Sequence, residues 1–262
     1  MTDLGGQSSF LGVDLAWHGD GRHSGLAVLA CQGTDLSLIT TPTGARSEEE
    51  ILAFVEKHAR RATVIAIDAP LIVVNVSGQR PCETEIGRRF GGNHASAHTS
   101  NLALFPDPGG VRLARALLEK GFEHPRESLP AADLAAKLMV EVYPHPAQIR
   151  LFDLKTILKY KKGRVASRRA ALEDYRTRLK ASLDENGFRD TGISIKFFAQ
   201  PIGSLKGKTL KEYEDQLDAV FCALLAFRLW TYGWDRSEMI GDLEAGYIVV
   251  PTAPRGSQEA RT

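Results

Sequence analysis

Three apolar, strand-like runs in this chain each carry one carboxylate. SFLGVDLAW holds Asp14, TVIAIDAPLI holds Asp68 and LMVEVYPHPA holds Glu141. A fourth acid, Asp218, lies on the flank of a late apolar helix pattern, EYEDQLDAVFCALLAF. A carboxylate among apolar residues is costly unless it is paired, hydrogen-bonded or bound to a cation. Each acid taken alone is also explained by a capped turn or a nearby Arg or Lys. The repetition at strand ends points instead to a fold that gathers these ends at one rim, with a divalent metal ion between them.

The order of patterns narrows that fold. SFLGVDLAW, GLAVLAC and LSLITT are joined by short connections and read as an antiparallel meander. SEEEILAFVEKHARR reads as a helix, with Ser47 and Glu50 forming a capping box. TVIAIDAPLIV is a near-continuous apolar strand, the mark of burial on both faces, so a right-handed crossover beside the first strand is expected. Residues 75–104 are polar and weakly periodic, and are expected to be a long irregular segment. Further helices are expected over VRLARALLEKGF, Pro130 to Leu138, the basic region 153–185 and TLKEYEDQLDAVFCALLAFRLW. Further strands are expected at LMVEVYPHPA, closed by its two prolines, at ISIKFFAQP and at YIVVPT. No repeat or linker divides the chain. The expectation is one α/β domain over residues 10–250 with inserted segments, and a disordered tail over 251–262.

In open α/β sheets ligand sites favour the carboxyl ends of strands. Neighbouring strands lie about 4.8 Å apart, so carboxylates at matching ends can share a cation. Hard oxygen ligands suit Mg²⁺ or Mn²⁺, which orient phosphate oxygens and activate water. On the late helix Asp218 borders the apolar face, and Asp215 is expected to point further outward.

The motifs GVDLAW, SGLAVL, AIDAPL, RPCETEIGRRFG with HASAHTSN, VEVYPHPA and LDAVFCALLAF occur in that order. Together they resemble the predicted RNase H-like nucleases catalogued as domain of unknown function 429. The resemblance implies an RNase H-like fold: a mixed five-stranded sheet, three strands antiparallel and two further parallel, flanked by helices. It also implies that Asp14, Asp68, Glu141 and Asp218 are catalytic metal ligands for hydrolysis of DNA or RNA. Glu141 lies within a strand, where proteins of this fold differ.

Other residues offer substrate contacts. Lys161, Lys162 and Arg164 in the KKGR turn can track phosphates, with Arg168 and Arg169 nearby and Tyr160 placed to stack on a base. Lys206, Lys208 and Lys211 form a second cluster. Arg88, His98, Ser100 and Asn101 in the polar segment, and His145 between two prolines, can bind phosphate or assist proton transfer. Cys82, His94 and His98 have part of a zinc-site spacing, without an evident fourth ligand. The glycine-rich HGDGRHSG hairpin leaves an actin-like, ATP-binding reading open. A non-catalytic module using only the basic face is the other alternative.

Composition restricts these readings. A net charge of +1 gives no global attraction for nucleic acid, so any such contact needs a local patch. Three widely spaced cysteines do not suit a disulfide framework, and the first ten residues carry no basic, apolar leader. A reducing, cytoplasmic setting is therefore expected.

Overall fold

The computed structural model describes residues 8–16, 23–126 and 136–252. β1 (Ser8–Asp14), β2 (Ser24–Gln32) and β3 (Asp35–Leu38) form the antiparallel meander, and the short β4 (Thr43–Ala45) also pairs with β2. Helix α1 (Glu48–His58) then carries the chain to β5 (Ala62–Ile67), which pairs parallel with β1. β6 (Lys137–Glu141) adds a second parallel pairing, giving the order β3-β2-β1-β5-β6. Ser47 caps α1 by accepting the Glu50 amide, as its sequence predicts, but the box is not closed, because the Glu50 carboxylate accepts from the Arg46 amide at 2.7 Å.

The central strands are covered on both faces. Leu11, Val13, Ile65, Ile67 and Met139 pack beneath α1 and α3 (Gly109–Glu119). Phe10, Val64, Ala66 and Val140 pack against the long α7 (Gly207–Tyr232), outside which lies α5 (Val165–Glu185). Gly12 and Gly25 permit the approach of α7, because a Cβ at either would collide with its backbone at Ala219 or Asp215. The alternation of side chains along each strand thus assigns every residue to one layer or the other.

Several elements differ from the sequence expectations. The polar 75–104 segment contains α2 (Pro81–Phe90). Its apolar stripe is only Cys82, Ile86 and Phe90, hidden among charges, and it packs on a hairpin of β7 (Ser237–Asp242) and β8 (Gly246–Pro251). ISIKFFAQP is largely helix α6 (Gly192–Phe198), not a strand, because Thr191 and Ser194 exchange capping hydrogen bonds. Pro144 and Pro146 do not merely close β6. They open α4 (Pro144–Leu151), where the first-turn amides need no helical partner. The basic region becomes helical only at Val165. Gly163, at φ 114°, belongs to the irregular stretch before it.

The helix expected from Pro130 lies mostly outside the described residues, and its end at Lys137 and Leu138 is strand. Residues 253–262 also lie outside them, while Pro251 still belongs to β8. Among the described residues no helix is long and apolar enough to cross a membrane.

Candidate functional site

Asp14 is the last residue of β1, and Asp68 follows the last residue of β5. The parallel register pairs Val13 with Ile67, so the next residue on each strand brings the two acids level and onto the same face. That face is the one α7 covers. Both acids line a cleft of about 1430 Å³ at the carboxyl ends of the strands. Its other walls are the loop bearing His94 and His98, the first turn of α4 with His145, the segment bearing Lys159, Lys161 and Lys162, and the start of α7 with Lys208, Lys211 and Asp215.

The acids are electrostatically strained. Burial pushes the Asp14 carboxyl up to about 7; Lys161 opposes the shift, while Asp218 and Asp215 add to it. Burial likewise holds Asp68 well above the usual carboxylate range, with repulsion from Asp14 adding to the effect. Clustered carboxylates in a partly dry site favour either protons or a cation.

Asp218 lies beneath the cleft, fully buried. Tyr160 donates its hydroxyl to Asp218 Oδ1 at 2.7 Å, and Lys161 Nζ stands 2.7 Å from Oδ2. The same ammonium is 3.9 Å from Asp14 Oδ2. The Lys161 side chain is 34% exposed along its length, yet its charged tip turns inward. Burial works against that charge, but Asp14 and Asp218 outweigh it and hold the ammonium well above its ordinary pKa.

Tyr160 cannot serve as a base-stacking platform, because its ring is fully buried. It stacks on Tyr175 with ring centres 4.8 Å apart, and its hydroxyl accepts a hydrogen bond from Gln148 at 3.2 Å. Asp215 does not point outward either. It is 3% exposed and ion-paired with Lys211 one turn earlier.

Glu141 has different partners. It pairs with Ile67, so it lies on the opposite sheet face from Asp68, although it reaches the same cleft at the strand end. Arg80 grips both of its oxygens, at 2.6 and 2.9 Å, and the Leu71 amide donates a third hydrogen bond at 2.9 Å. Arg80 also binds Glu83 at 2.8 Å, and all three charged residues are buried. Burial raises the Glu141 pKa, and Arg80 pulls it back. Arg80 and Glu83 were not singled out in the sequence reading. The available signal was RPCE, a helix start with Glu three residues after Arg.

Among the expected substrate contacts, His98, His145, Lys161 and Lys162 line the cleft, whereas Arg88 and Arg164 do not. Arg88 is exposed and clasped by Glu85. Arg164 is exposed just before α5. Ser100 and Asn101 are buried joints of the loop. The Ser100 amide donates to Glu83, and the Asn101 side chain donates to the Gly78 carbonyl. Burial lowers the His145 pKa to about 4, so its imidazole is neutral near pH 7, and its buried Nδ1 makes no hydrogen bond among the described residues.

The zinc spacing does not produce a site. Cys82 sits in the apolar α2 cluster, while His94 and His98 lie on the exposed loop. Among the described residues no three or more His, Cys, Asp or Glu side chains are grouped to hold a metal ion. In the glycine-rich hairpin, residues 18–22 lie outside the described residues, so the geometry adds nothing to the ATP-binding alternative.

No curated protein and no solved structure matches the chain. A family model described as "Protein of unknown function (DUF429)" matches residues 12–234.

Proposed function

The chain belongs to the DUF429 family, whose description assigns no activity, and we propose a function from the cleft itself: metal-dependent hydrolysis of phosphodiester bonds in nucleic acid, on an RNase H-like sheet. The observation that carries this reading is the level placement of Asp14 and Asp68 at the ends of adjacent parallel strands, on the floor of a lysine-walled cleft. The strand order, three antiparallel and two further parallel, supports the fold assignment.

The donor set fits a hard cation in charge and chemistry. Mg²⁺ is commonly held by one or two carboxylates and completed by substrate phosphate, without an all-protein cage. Asp14 and Asp68 would supply those carboxylates. A bound divalent ion would polarise a phosphoryl oxygen and acidify water. Lys159 and Lys162 would hold phosphates, joined by Lys208 once substrate draws it from Glu212, and His145, whose pKa burial lowers to about 4, would offer a hydrogen bond at the cleft wall and not act as the base. Asp218 and Glu141 would act at one remove, through Lys161 and Arg80.

The test is incubation of the chain with Mg²⁺ or Mn²⁺ and a panel of single- and double-stranded DNA and RNA. Cleavage that disappears in Asp14→Asn and Asp68→Asn, with circular dichroism unchanged, is the expected result. Full activity in both variants would overturn the carboxylate assignment. Absence of both cleavage and Mn²⁺ binding in the wild type would overturn the metal-dependent reading.

A further inference from the structure

Lys161 occupies a place that a surface lysine does not ordinarily take. Its ammonium lies between a buried carboxylate, Asp218, and a cleft carboxylate, Asp14, at 2.7 and 3.9 Å. The backbone that carries it is fixed by its neighbour. Tyr160 is buried, stacks on Tyr175, and its carbonyl accepts Arg168 Nε at 3.1 Å. Asp218 is not among the residues lining the cleft. One of its oxygens is taken by Tyr160, and the other has Lys161 as its only ion-pair partner among the described residues. Asp218 therefore acts on the cleft through Lys161.

We propose that Lys161 is a built-in second cation: anchored by Asp218 beside Asp14, it supplies the positive charge that a second divalent ion would supply, so the site takes one ion rather than two. The inference rests on the metal-dependent reading above and specifies the ion stoichiometry of that same site. The charges agree with it. The Lys161 ammonium already offsets negative charge that Asp14 and Asp218 bring to the site, which reduces the call for a second divalent ion. Asp215 is already balanced by Lys211. Two-metal sites place their cations about 3.5–4 Å apart to clamp the attacking and leaving oxygens. An ammonium serves such a clamp by charge and hydrogen bonds alone, with no transfer of its proton.

Calorimetric titration of Mn²⁺ into the full chain, with electron paramagnetic resonance to detect Mn–Mn coupling, tests this without an activity assay. Wild type and Lys161→Arg are expected to bind one ion with no coupling. Lys161→Gln, which keeps a hydrogen-bonding group for Asp218 but removes the charge, is expected to bind two coupled ions. Two ions in the wild type, or one in a folded Lys161→Gln, would overturn the inference and leave the metal-dependent reading standing. No ion in any of the three would overturn the inference, and if metal-dependent cleavage by the wild type is absent as well, the metal-dependent reading falls with it. If Lys161→Gln does not fold, the wild-type stoichiometry decides, one ion supporting the inference and two overturning it.

Discussion

Setting Asp14 level with Asp68, above buried Asp218, loads one point of the fold with charge that burial disfavours. With its pKa pushed up to about 7 from an ordinary 3.8, Asp14 keeps a proton in the folded chain that the unfolded chain has lost. Its contribution to stability is therefore greatest below about pH 4 and declines as pH rises towards 7. In chelator at pH 8, Asp14→Asn is expected to unfold at a higher temperature than the wild type, by about 2–6 °C for a gain of ~1–2 kcal/mol. Near pH 4 the difference is expected to vanish, because both side chains are then neutral. Differential scanning calorimetry at the two pH values checks this, and a less stable variant at pH 8 would mean that the Lys161 attraction outweighs the strain. That Asp14, Asp68 and Asp218 come close together was legible in the sequence, because a carboxylate in an apolar run is itself the anomaly. The inward turn of the Lys161 ammonium was not, since it depends on Tyr160 being buried, and the KKGR turn reads as a solvated charge run.

Between elements, parity decides which acids meet. Asp14 and Asp68 share a face because β1 and β5 are parallel and in register, whereas Glu141 falls one residue short of that level and faces the other layer. A one-residue offset is invisible in a sequence that does not reveal register. The meander, α1 and the buried β5 were legible from alternation, capping and apolar continuity. Helix α2 was not, because its stripe is three residues long, and α6 was not, because its short apolar pattern also fits a strand. On the far face Arg80 ties α2 to the end of β6 through Glu141. Arg80→Met is expected to cost about 3–5 kcal/mol, since it strands two buried carboxylates, Glu83 and Glu141. Adding Glu141→Gln should recover part of the loss, and urea denaturation of the single and double variants measures the coupling. Gly12→Ala tests the other contact. Its methyl would collide with the α7 backbone at Ala219 and Ala223, so loss of ~3 kcal/mol or more is expected in the same denaturation experiment.

At the scale of the whole molecule, the charge of +1 hides an uneven distribution. Among the described residues several surface arginines are clasped by neighbouring acids, as Arg88 is by Glu85 and Arg112 by Asp107. Lysines instead gather around the cleft, from the segment before α5 on one side and the first turns of α7 on the other. The composition gave no hint of this gathering, because two clusters some forty-five residues apart in sequence meet only when α7 lies across β1. Acids line the same cleft in equal number to the lysines and Arg80, so any attraction for phosphate there would come from individual lysines and not from a net positive field. Lys162 and Lys208 are exposed, line the cleft and take no part in the Asp14–Lys161 ion pair, Lys208 being paired with Glu212 at 3.6 Å. Each, if it neutralises one phosphate, releases about 0.7 of a counterion from a single strand. The double variant Lys162→Ala, Lys208→Ala is therefore expected to bind single-stranded oligonucleotides more weakly, to a similar degree for every sequence. The slope of log affinity against log salt should become shallower by about 1.4. Fluorescence anisotropy across a salt series measures both effects. An unchanged slope would place the phosphate path elsewhere on the surface, whereas a loss confined to one oligonucleotide sequence would mean that these lysines contact bases and not the backbone.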